Sequence, residues 1–304
     1  MSKLQLNSPI SIRSYAKVNL TLDVGGRRPD GYHDLKSVMQ TISLHDLITI
    51  KPADEPGIRV SCNMPGIPLD ARNLAFKAAS AWMERLGVES GLDIHIEKRI
   101  PMEAGLGGGS SNAAAVLTAL NEHTGLWVDL ESLSDMAMRI GSDVPYFLVG
   151  GTAFVRGRGE EVQPLSDLPT RHMLIVKPPF GMSTALAYQR FDEEQSEPRA
   201  YSARILECMD GTIYDPGMCL GNDLETPVFK LLPQLAKIKQ ALLASGAVSA
   251  LMCGSGSAVF GLFDGEETAR AAYESWTSDC IPDCPPCQVF LERTISRSEA
   301  MKFA

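Results

Sequence analysis

Four glycines and two serines, closely spaced between positions 105 and 111, are the residues with the clearest chemical potential. They are Gly105, Gly107, Gly108, Gly109, Ser110 and Ser111, and an alanine-rich segment follows them. Glycine accepts positive φ at little cost, so such a loop can turn several backbone N–H groups toward one anion. A helix that begins directly afterwards adds free N–H groups and the positive end of its dipole. The pattern predicts a phosphate-binding loop, which includes Leu106.

This loop differs from two common phosphate-binding types. A Walker loop ends in Gly-Lys-Ser/Thr, and no lysine occurs between Pro101 and Asn121. The dinucleotide fingerprint would need glycine in place of Ser110. The alternative is a glycine-rich turn that only lets a strand meet a helix. Four glycines, two hydroxyls and a helix start exceed what a turn needs, so we favour a nucleotide-binding phosphotransferase.

Composition limits the other possible functions. The length of 304 residues suits two domains, and the hydrophobic content of 44% is ordinary for a protein with a full core. The net charge of −9 argues against a general nucleic-acid surface, which needs clustered Lys and Arg. The sequence contains no long apolar run and no signal-peptide pattern at its start. We therefore expect a cytoplasmic protein with neither nucleic-acid nor membrane partners.

The seven cysteines form no obvious framework, because an odd, scattered set argues against structural disulfides. Three of them, Cys280, Cys284 and Cys287, have a spacing seen in radical enzymes that bind an iron–sulfur cluster. In those enzymes an aromatic residue precedes the last cysteine, and here Pro286 does. We favour a proline-rich turn before a strand at 288–292. No histidine pair has metal-ligand spacing, so the metal ligands are unassigned.

The hydrophobic patterns predict an α+β protein with two domains, 1–163 and 164–304, joined by a proline-containing stretch at 160–170. The segment 192–217 is polar, and we expect it to be an irregular, mobile surface insertion. Strands are predicted at 10–24, 44–52, 92–97, 151–158, 173–177, 248–253, 258–263 and 288–292. Helices are predicted at 73–86, 111–123, 129–141, 223–245 and 266–276.

Three further motifs accompany the glycine loop. Residues 14–20 (SYAKVNL) put Lys17 into an apolar strand, and residues 141–147 (GSDVPYF) put Asp143 at the start of an apolar helix. Residues 253–257 (CGSGS) form a second glycine turn. Taken together and in this order, these motifs resemble the GHMP kinases, the superfamily of galactokinase and of homoserine, mevalonate and phosphomevalonate kinases.

The resemblance implies a fold and two cofactors. It implies an N-terminal ATP-binding domain like domain 2 of ribosomal protein S5, followed by a C-terminal ferredoxin-like α/β sandwich domain. The cofactors are ATP and Mg²⁺, since magnesium offsets the charge of the β- and γ-phosphates. We expect a monomer or a weak homodimer that acts on a small molecule.

The loop 26–35 (GRRPDGYHDL), the form 105–114 (GLGGGSSNAA) and the sequence 142–145 (SDVP) narrow the resemblance. They are similar to the superfamily members that phosphorylate the 2-hydroxyl of a cytidine-diphosphate-linked methylerythritol. That reaction belongs to the non-mevalonate pathway of isoprenoid biosynthesis. Other superfamily kinases are not expected to carry the Pro29–His33 loop.

Lys17 and Asp143 are the predicted catalytic residues. An alcohol that attacks the γ-phosphate must lose its proton, and Asp143 is our candidate base. Lys17 beside it would keep it ionised and stabilise the developing charge. The superfamily resemblance implies the same pair. The alternatives are that Asp143 only caps a helix two residues before Pro145 and that Lys17 reaches solvent from an edge strand.

The resemblance also assigns ligand contacts. Tyr32 and Tyr188 would stack on the cytosine ring, His33 would bind its polar edge, and Asn19 would position the substrate. The alternatives are a packed loop aromatic for Tyr32 and an exposed turn histidine for His33.

Two further residues, Asn73 and Lys98, are expected on the adenine side. Asn73 could instead be a helix cap and Lys98 a surface lysine. The second turn, with Gly254, Ser255 and Gly256, would either contact the substrate diphosphate or brace the first loop.

Overall fold

The computed structural model describes residues 6, 8–194, 199–209, 219–278 and 285–302. It contains two β-sheets, each with helices packed against it. No helix in the described residues is both long and apolar enough to cross a membrane.

Within these residues, eight strands form the first sheet, and the long strand β3 is its centre. β3 pairs antiparallel with β1, β2, β5 and β6, while β4 pairs parallel with β5 and β9 pairs parallel with β2. The strands are β1 Ile10–Asn19, β2 Thr21–Arg27, β3 His33–Ala53, β4 Gly57–Cys62, β5 Gly91–Glu97, β6 Thr152–Gly157, β7 Glu161–Pro164 and β9 Gly221–Asn222.

Four helices accompany this sheet: α1 Leu74–Leu86, α2 Gly108–His123, α3 Leu130–Ile140 and α4 Val144–Val149. The alanines of α2 are buried and share one core with the inward isoleucines of β3 and β5 and with Trp82 of α1. Small side chains let α2 approach β1 closely, and this brings the glycine loop at its start beside Lys17.

The second sheet has the antiparallel order β10–β11–β8–β12. Its strands are β8 His172–Lys177, β10 Ser249–Met252, β11 Val259–Phe263 and β12 Gln288–Arg293. The remaining described helices are α5 Thr184–Glu194, α6 Tyr201–Met209, α7 Glu225–Leu231, α8 Pro233–Ala244, α9 Glu266–Ser278 and α10 Arg297–Ala300. The short β10–β11 connection presents the second glycine turn to the first loop.

Three predicted elements differ from the structure. The strand expected at 10–24 is divided at Leu20 into β1 and β2, and β3 begins at His33 rather than at 44. The helix expected at 223–245 is interrupted at Leu232, because Pro233 cannot continue the helix that precedes it.

The prediction of an irregular segment at 192–217 was wrong where the structure describes it. α5 extends to Glu194, and Tyr201–Met209 form α6. The Asp23 carboxylate of β2 accepts hydrogen bonds from the backbone N–H groups of Tyr201 (2.6 Å) and Ser202 (2.8 Å). A cap supplied from so far along the chain leaves no local signal. Residues 195–198 and 210–217 lie outside the described residues.

Candidate active site

A cavity of about 590 Å³ lies between β1, the glycine loop, α5 and the second glycine turn. Most of the predicted site residues line it, and Ser111, Tyr32 and His33 do not. The predicted residues that line it are Lys17, Asn19, Asn73, Lys98, Gly105, Leu106, Gly107, Gly108, Gly109, Ser110, Asp143, Tyr188, Gly254, Ser255 and Gly256.

The glycine loop has the conformation that its composition predicts. Gly105 and Gly107 have φ of +74° and +72°, and α2 begins directly afterwards. A Cβ on Gly105 would lie 1.8 Å from the Cys253 carbonyl oxygen, and one on Gly107 would lie 2.7 Å from the Phe147 ring. No side-chain oxygen caps α2 at Gly107, and residues 107–110 line the cavity, so the start of α2 with its uncapped N–H groups lies at the cavity wall. This is a suitable anion site.

The two serines after the loop lie in different surroundings. Ser110 lines the cavity. Ser111 is buried, donates its hydroxyl to the Tyr15 carbonyl oxygen (2.6 Å) and accepts from the Ser14 hydroxyl (2.7 Å). The Ser111 hydroxyl therefore joins α2 to β1.

Lys17 is a buried residue of β1, only 4% exposed, so the alternative of a solvent-facing lysine is wrong. Its Nζ donates to Asn19 Oδ1 at 2.7 Å and lies 3.5 Å from Asp143 Oδ2. Asp143 occupies the N-cap position of α4, yet its side chain makes no capping hydrogen bond. The carboxylate, one-third exposed, instead faces Lys17 and the cavity.

The amide of Asn19 has a fixed orientation. Ser37 donates its hydroxyl proton to the Thr21 carbonyl oxygen (2.5 Å), so its oxygen must accept from Asn19 Nδ2 (2.8 Å). Asn19 Oδ1 is thereby directed at the Lys17 ammonium group. Ser37 was not identified from the sequence, because only the pairing of β3 with β1 and β2 brings it here.

Lys98 belongs to a second lysine–aspartate pair, in which both residues are buried, so the alternative of a surface lysine is wrong. Its Nζ donates to Asp46 Oδ2 at 2.5 Å, and burial lowers the pKa of Lys98 although Asp46 opposes this effect. Asp46 Oδ1 also accepts from the N–H groups of Arg99 and Ile100, both at 2.8 Å, and Oδ2 accepts from Asn112 Nδ2 at 2.8 Å. A charged residue inside the apolar strand predicted at 44–52 was the available signal for Asp46.

Both adenine-side candidates lie at the cavity wall, each with a structural role. A Cβ on Gly108 would lie 2.8 Å from Lys98 Nζ, so this ammonium group abuts the start of α2. Asn73 is the N-cap of α1: its Oδ1 accepts from Ala75 N at 2.9 Å and its Nδ2 donates to the Pro68 carbonyl oxygen at 2.7 Å. The helix-cap alternative for Asn73 is therefore observed.

At the other end of the cavity, Tyr188 stacks on His33, with ring centroids 5.2 Å apart and planes at 20°. Burial raises the pKa of the Tyr188 phenol. His33 is buried, so the exposed-histidine alternative is wrong, and its Nε2 lies 2.7 Å from Asp192 Oδ1. Tyr32 is 53% exposed and lies under the Arg158 guanidinium, 4.7 Å from the ring centre.

The second glycine turn braces the first loop. Ser257 N donates to the Glu103 carbonyl oxygen (3.1 Å), and Ala258 N donates to that of Ala104 (3.3 Å). Asn222 Nδ2 in turn donates to the Gly254 carbonyl oxygen at 2.7 Å. The turn also lines the cavity, so bracing does not exclude a contact with a ligand.

The described residues contain no group of three His, Cys, Asp or Glu side chains arranged to hold a metal ion. Cys280 and Cys284 of the cysteine cluster lie outside these residues. Cys287 donates its thiol to the Pro285 carbonyl oxygen at 3.1 Å.

Comparison with known proteins decides the family. Residues 73–151 match the GHMP kinases N terminal domain and residues 213–282 match GHMP kinases C terminal. The 4-diphosphocytidyl-2-C-methyl-D-erythritol kinase of Pelotomaculum thermopropionicum is 43% identical over 262 residues, which cover 86% of this chain and 91% of the relative. The chain belongs to the 4-diphosphocytidyl-2-C-methyl-D-erythritol kinase family. The kinase of the same name from Geobacter metallireducens is 43% identical over 88% of this chain and 94% of its own.

Solved structures agree with this assignment. A crystal structure of 4-(cytidine 5'-diphospho)-2C-methyl-D-erythritol kinase is 36% identical, with a TM-score of 0.78, and the match covers 94% of this chain and 99% of that one. Homoserine kinase from Cytophaga hutchinsonii, 19% identical with a TM-score of 0.74, shares the fold. The predicted α+β fold, the GHMP superfamily and the small-molecule kinase class are therefore confirmed.

The sequence predicted the glycine loop, the Lys17–Asp143 pair and His33, but not the residues that position their surroundings. These are Asp46 beside Lys98 at the glycine loop, Ser37 beside Asn19, and Asp192 beside His33. Asp192 escaped notice because its segment was predicted to be irregular, and its partner His33 lies on a distant strand.

Proposed function

We propose that the chain transfers the γ-phosphate of ATP to the 2-hydroxyl of 4-diphosphocytidyl-2-C-methyl-D-erythritol in the non-mevalonate isoprenoid pathway. The observation that carries this proposal is the Lys17–Asp143 pair, 3.5 Å apart, on the wall of the cavity that contains the glycine loop. The names of the relatives, at 43% identity over most of the chain, support the substrate.

In this proposal, ATP binds with its phosphates at the start of α2. The N–H groups of the glycine loop and the dipole of α2 attract phosphate without a net charge on the loop. The Lys98 ammonium group, paired with Asp46, abuts Gly108 and is a hydrogen-bond donor at this end of the cavity. Asn73 and Lys98 then mark the side of the cavity on which the adenine lies.

Asp143 acts as the general base. Its carboxylate is within reach of ligand in the cavity, because it is one-third exposed and makes no capping hydrogen bond. It takes the proton of the attacking hydroxyl, while Lys17 Nζ stabilises the charge that develops on the attacking oxygen and the transferring group. The transfer is direct and in line, without a phosphorylated enzyme intermediate.

The cavity also suits Mg²⁺, which would hold the β- and γ-phosphates and offset their charge. Mg²⁺ prefers oxygen ligands and usually takes few of them from the protein. The Ser110 hydroxyl and the Asp143 carboxylate are oxygen donors on the cavity wall next to the loop. Chelation with EDTA should abolish turnover while the circular dichroism spectrum and Tm stay unchanged, and added Mg²⁺ should restore the rate.

The cytidine end of the substrate lies toward Tyr188. The Tyr188 ring lines the cavity and already stacks on His33, so a pyrimidine can extend this aromatic surface. Stacking on an aromatic ring contributes about 1–3 kcal/mol per base. Tyr32, exposed on the loop between β2 and β3 and outside the cavity lining, would stack on the other face of the base in this proposal.

The deciding experiment measures ADP release with Mg-ATP and 4-diphosphocytidyl-2-C-methyl-D-erythritol, with homoserine, mevalonate and galactose in parallel reactions. We expect turnover only with the cytidine compound. Turnover with another alcohol would keep the kinase class and overturn the substrate. Exchange of label between ADP and ATP without any acceptor would overturn direct transfer.

A further inference from the structure

Two cysteines lie in contact away from the cavity, where α6 approaches the chain that enters β9. Cys208 Sγ is 2.8 Å from Cys219 Sγ, and the two thiols are not joined by a disulfide. We propose that Cys208 and Cys219 are a modification site: a thiol pair that closes to an intramolecular disulfide on mild oxidation. The proposal is independent of the phosphotransfer reaction.

The fold holds the two sulfur atoms together. Cys208 is next to the last residue of α6, half-buried, and Cys219 is buried with 7% exposure. Both pack against the apolar cluster that contains Ile205 and Leu20. Because a disulfide S–S bond is about 2.05 Å long, the sulfur atoms need to approach by less than about 1 Å to bond. Neither thiol has to leave its packing for that.

A low-molecular-weight disulfide such as oxidised glutathione is the oxidant we propose. The Cys208 thiol, the more exposed of the two, attacks one glutathione sulfur, the glutathione S–S bond breaks, and one glutathione leaves as a thiol. The Cys219 thiol then attacks the Cys208 sulfur, and the second glutathione leaves. The two cysteines are oxidised and lose two protons and two electrons, which the two glutathione thiols carry away.

The bond would add a covalent tie at a point that the structure connects to the active site. The start of α6 is already held by Asp23 of β2. Cys219 leads into β9. Gly221 N of β9 donates to the Leu20 carbonyl oxygen (3.3 Å), and Asp223 N, just after β9, donates to the Leu22 carbonyl oxygen (2.9 Å). Asn222 between them holds the Gly254 carbonyl oxygen of the second glycine turn. A disulfide would therefore join the end of α6 to the chain just before β9, while Asp23 holds the start of α6 to β2.

Two readouts follow from this connection. The bond closes a short loop, so it should raise Tm by about 3 °C or more relative to the reduced protein. Amide exchange at Gly221 and Asp223 should slow in the oxidised protein, because β9 opens less often when its flank is tied to α6. Dithiothreitol should reverse both changes.

The experiment treats the full-length protein with graded ratios of oxidised to reduced glutathione, blocks remaining thiols by alkylation and measures intact mass and linked peptides. We expect wild type to lose the mass of two hydrogen atoms, without a retained glutathione, and a peptide link between Cys208 and Cys219. C62S, which changes a cysteine of β4, serves as the matched control and should form the same link.

C208S and C219S should each abolish the link and the rise in Tm on oxidation, with each oxidised variant compared with its own reduced form. Each should instead retain glutathione on its remaining thiol, C208S more slowly because Cys219 is buried. The proposal is overturned if wild type stays reduced across the series, accumulates the glutathione adduct at Cys208, or links either cysteine to a different partner. If one variant fails to fold, the peptide map of wild type still decides.

Discussion

Two lysine–aspartate pairs lie at the same cavity, whose lining includes Lys17, Asp143 and Lys98 but not Asp46, and the pairs differ in their burial and hydrogen bonding. Lys98 and Asp46 are both buried and joined at 2.5 Å, and the Asp46 oxygens accept three further hydrogen bonds. Lys17 and Asp143 are 3.5 Å apart, and the Asp143 carboxylate is one-third exposed without a capping bond. We call Lys98–Asp46 the closed pair, because both residues are buried and the carboxylate is fully hydrogen-bonded. We call Lys17–Asp143 the open pair, because its carboxylate is accessible from the cavity.

The difference separates structure from chemistry. A carboxylate whose lone pairs are all occupied by fixed donors cannot take a proton from a substrate without breaking that network. Asp46 thus holds the strand β3, the approach to the glycine loop and α2 together through Lys98, Arg99, Ile100 and Asn112. Asp143 has an unoccupied face toward the cavity, which a general base requires.

The largest effect on activity should come from a substitution of Asp143. We expect Asp143→Asn to lower kcat by about 10³-fold, because the amide cannot accept the hydroxyl proton. Tm should fall only slightly, since the Asp143 side chain makes no capping bond, its one-third exposed carboxylate is only 3.5 Å from Lys17 Nζ, and Lys17 keeps its hydrogen bond to Asn19 Oδ1. Steady-state kinetics and thermal unfolding of the same preparation measure both.

Asp129→Asn is the matched control. Asp129 is the N-cap of α3, and its carboxylate does accept from Ser132 N at 2.8 Å. Its kcat should equal that of wild type, since Asn caps nearly as well and Asp129 lies away from the cavity lining. A folded Asp143→Asn protein that turns over at the wild-type rate would remove Asp143 as the base.

For the closed pair, we expect the main effect of a substitution to be a loss of stability. Asp46→Asn should lower the free energy of unfolding by about 3–5 kcal/mol, because it leaves the buried Lys98 charge without its carboxylate. The new amide also turns an N–H group toward donors that Asp46 now accepts. Urea unfolding measures the loss.

Asp93→Asn provides the comparison for Asp46. Asp93 pairs with Arg59 at 2.7 Å on an exposed face of the sheet, so its loss should cost no more than about 1 kcal/mol. If Asp46→Asn were as stable as Asp93→Asn, the Lys98–Asp46 network would not hold the loop, and the contrast between the two pairs would fail.

The sequence predicted both residues of the open pair, Lys17 and Asp143, but only Lys98 of the closed pair. Lys17, Asp143 and the glycine loop each lie in a short motif that the family resemblance identifies. Two of these motifs also carry a local signal: positive φ at Gly105 and Gly107, and a helix start after Asp143. Asp46 and Ser37 carry no such motif. Their roles exist only because β3 brings them to Lys98 and to Asn19.

The same reason explains the missed α6, whereas the break of the predicted 223–245 helix at Leu232 had a local signal in Pro233. The start of α6 is capped by Asp23, a residue of β2, and Leu20, where the first strand is divided, donates its N–H to the Val38 carbonyl oxygen of β3 (2.8 Å). Hydrophobic periodicity indicates which face of an element is buried, but it does not indicate which distant side chain caps the element. Elements that depend on long-range polar contacts could therefore not be predicted from the sequence.

The smallest predicted effect tests how the open pair is aligned. Ser37→Ala should lower kcat by about 10-fold with little change in the KM for ATP, because Asn19 loses the acceptor that directs its Oδ1 at Lys17. Ser37→Thr keeps the hydroxyl and should retain most of the rate. Tm should fall only slightly in Ser37→Ala, since a single buried hydrogen bond contributes about 1 kcal/mol.

The split between the two substitutions is what identifies the hydroxyl. A role in packing alone would make the larger threonine the worse substitution in this buried position and would spare kcat in Ser37→Ala. If both variants lose the same activity, the orientation of the Asn19 amide does not depend on Ser37. In that case Lys17 must be aligned by Asp143 itself, and the open pair would be positioned from one side only.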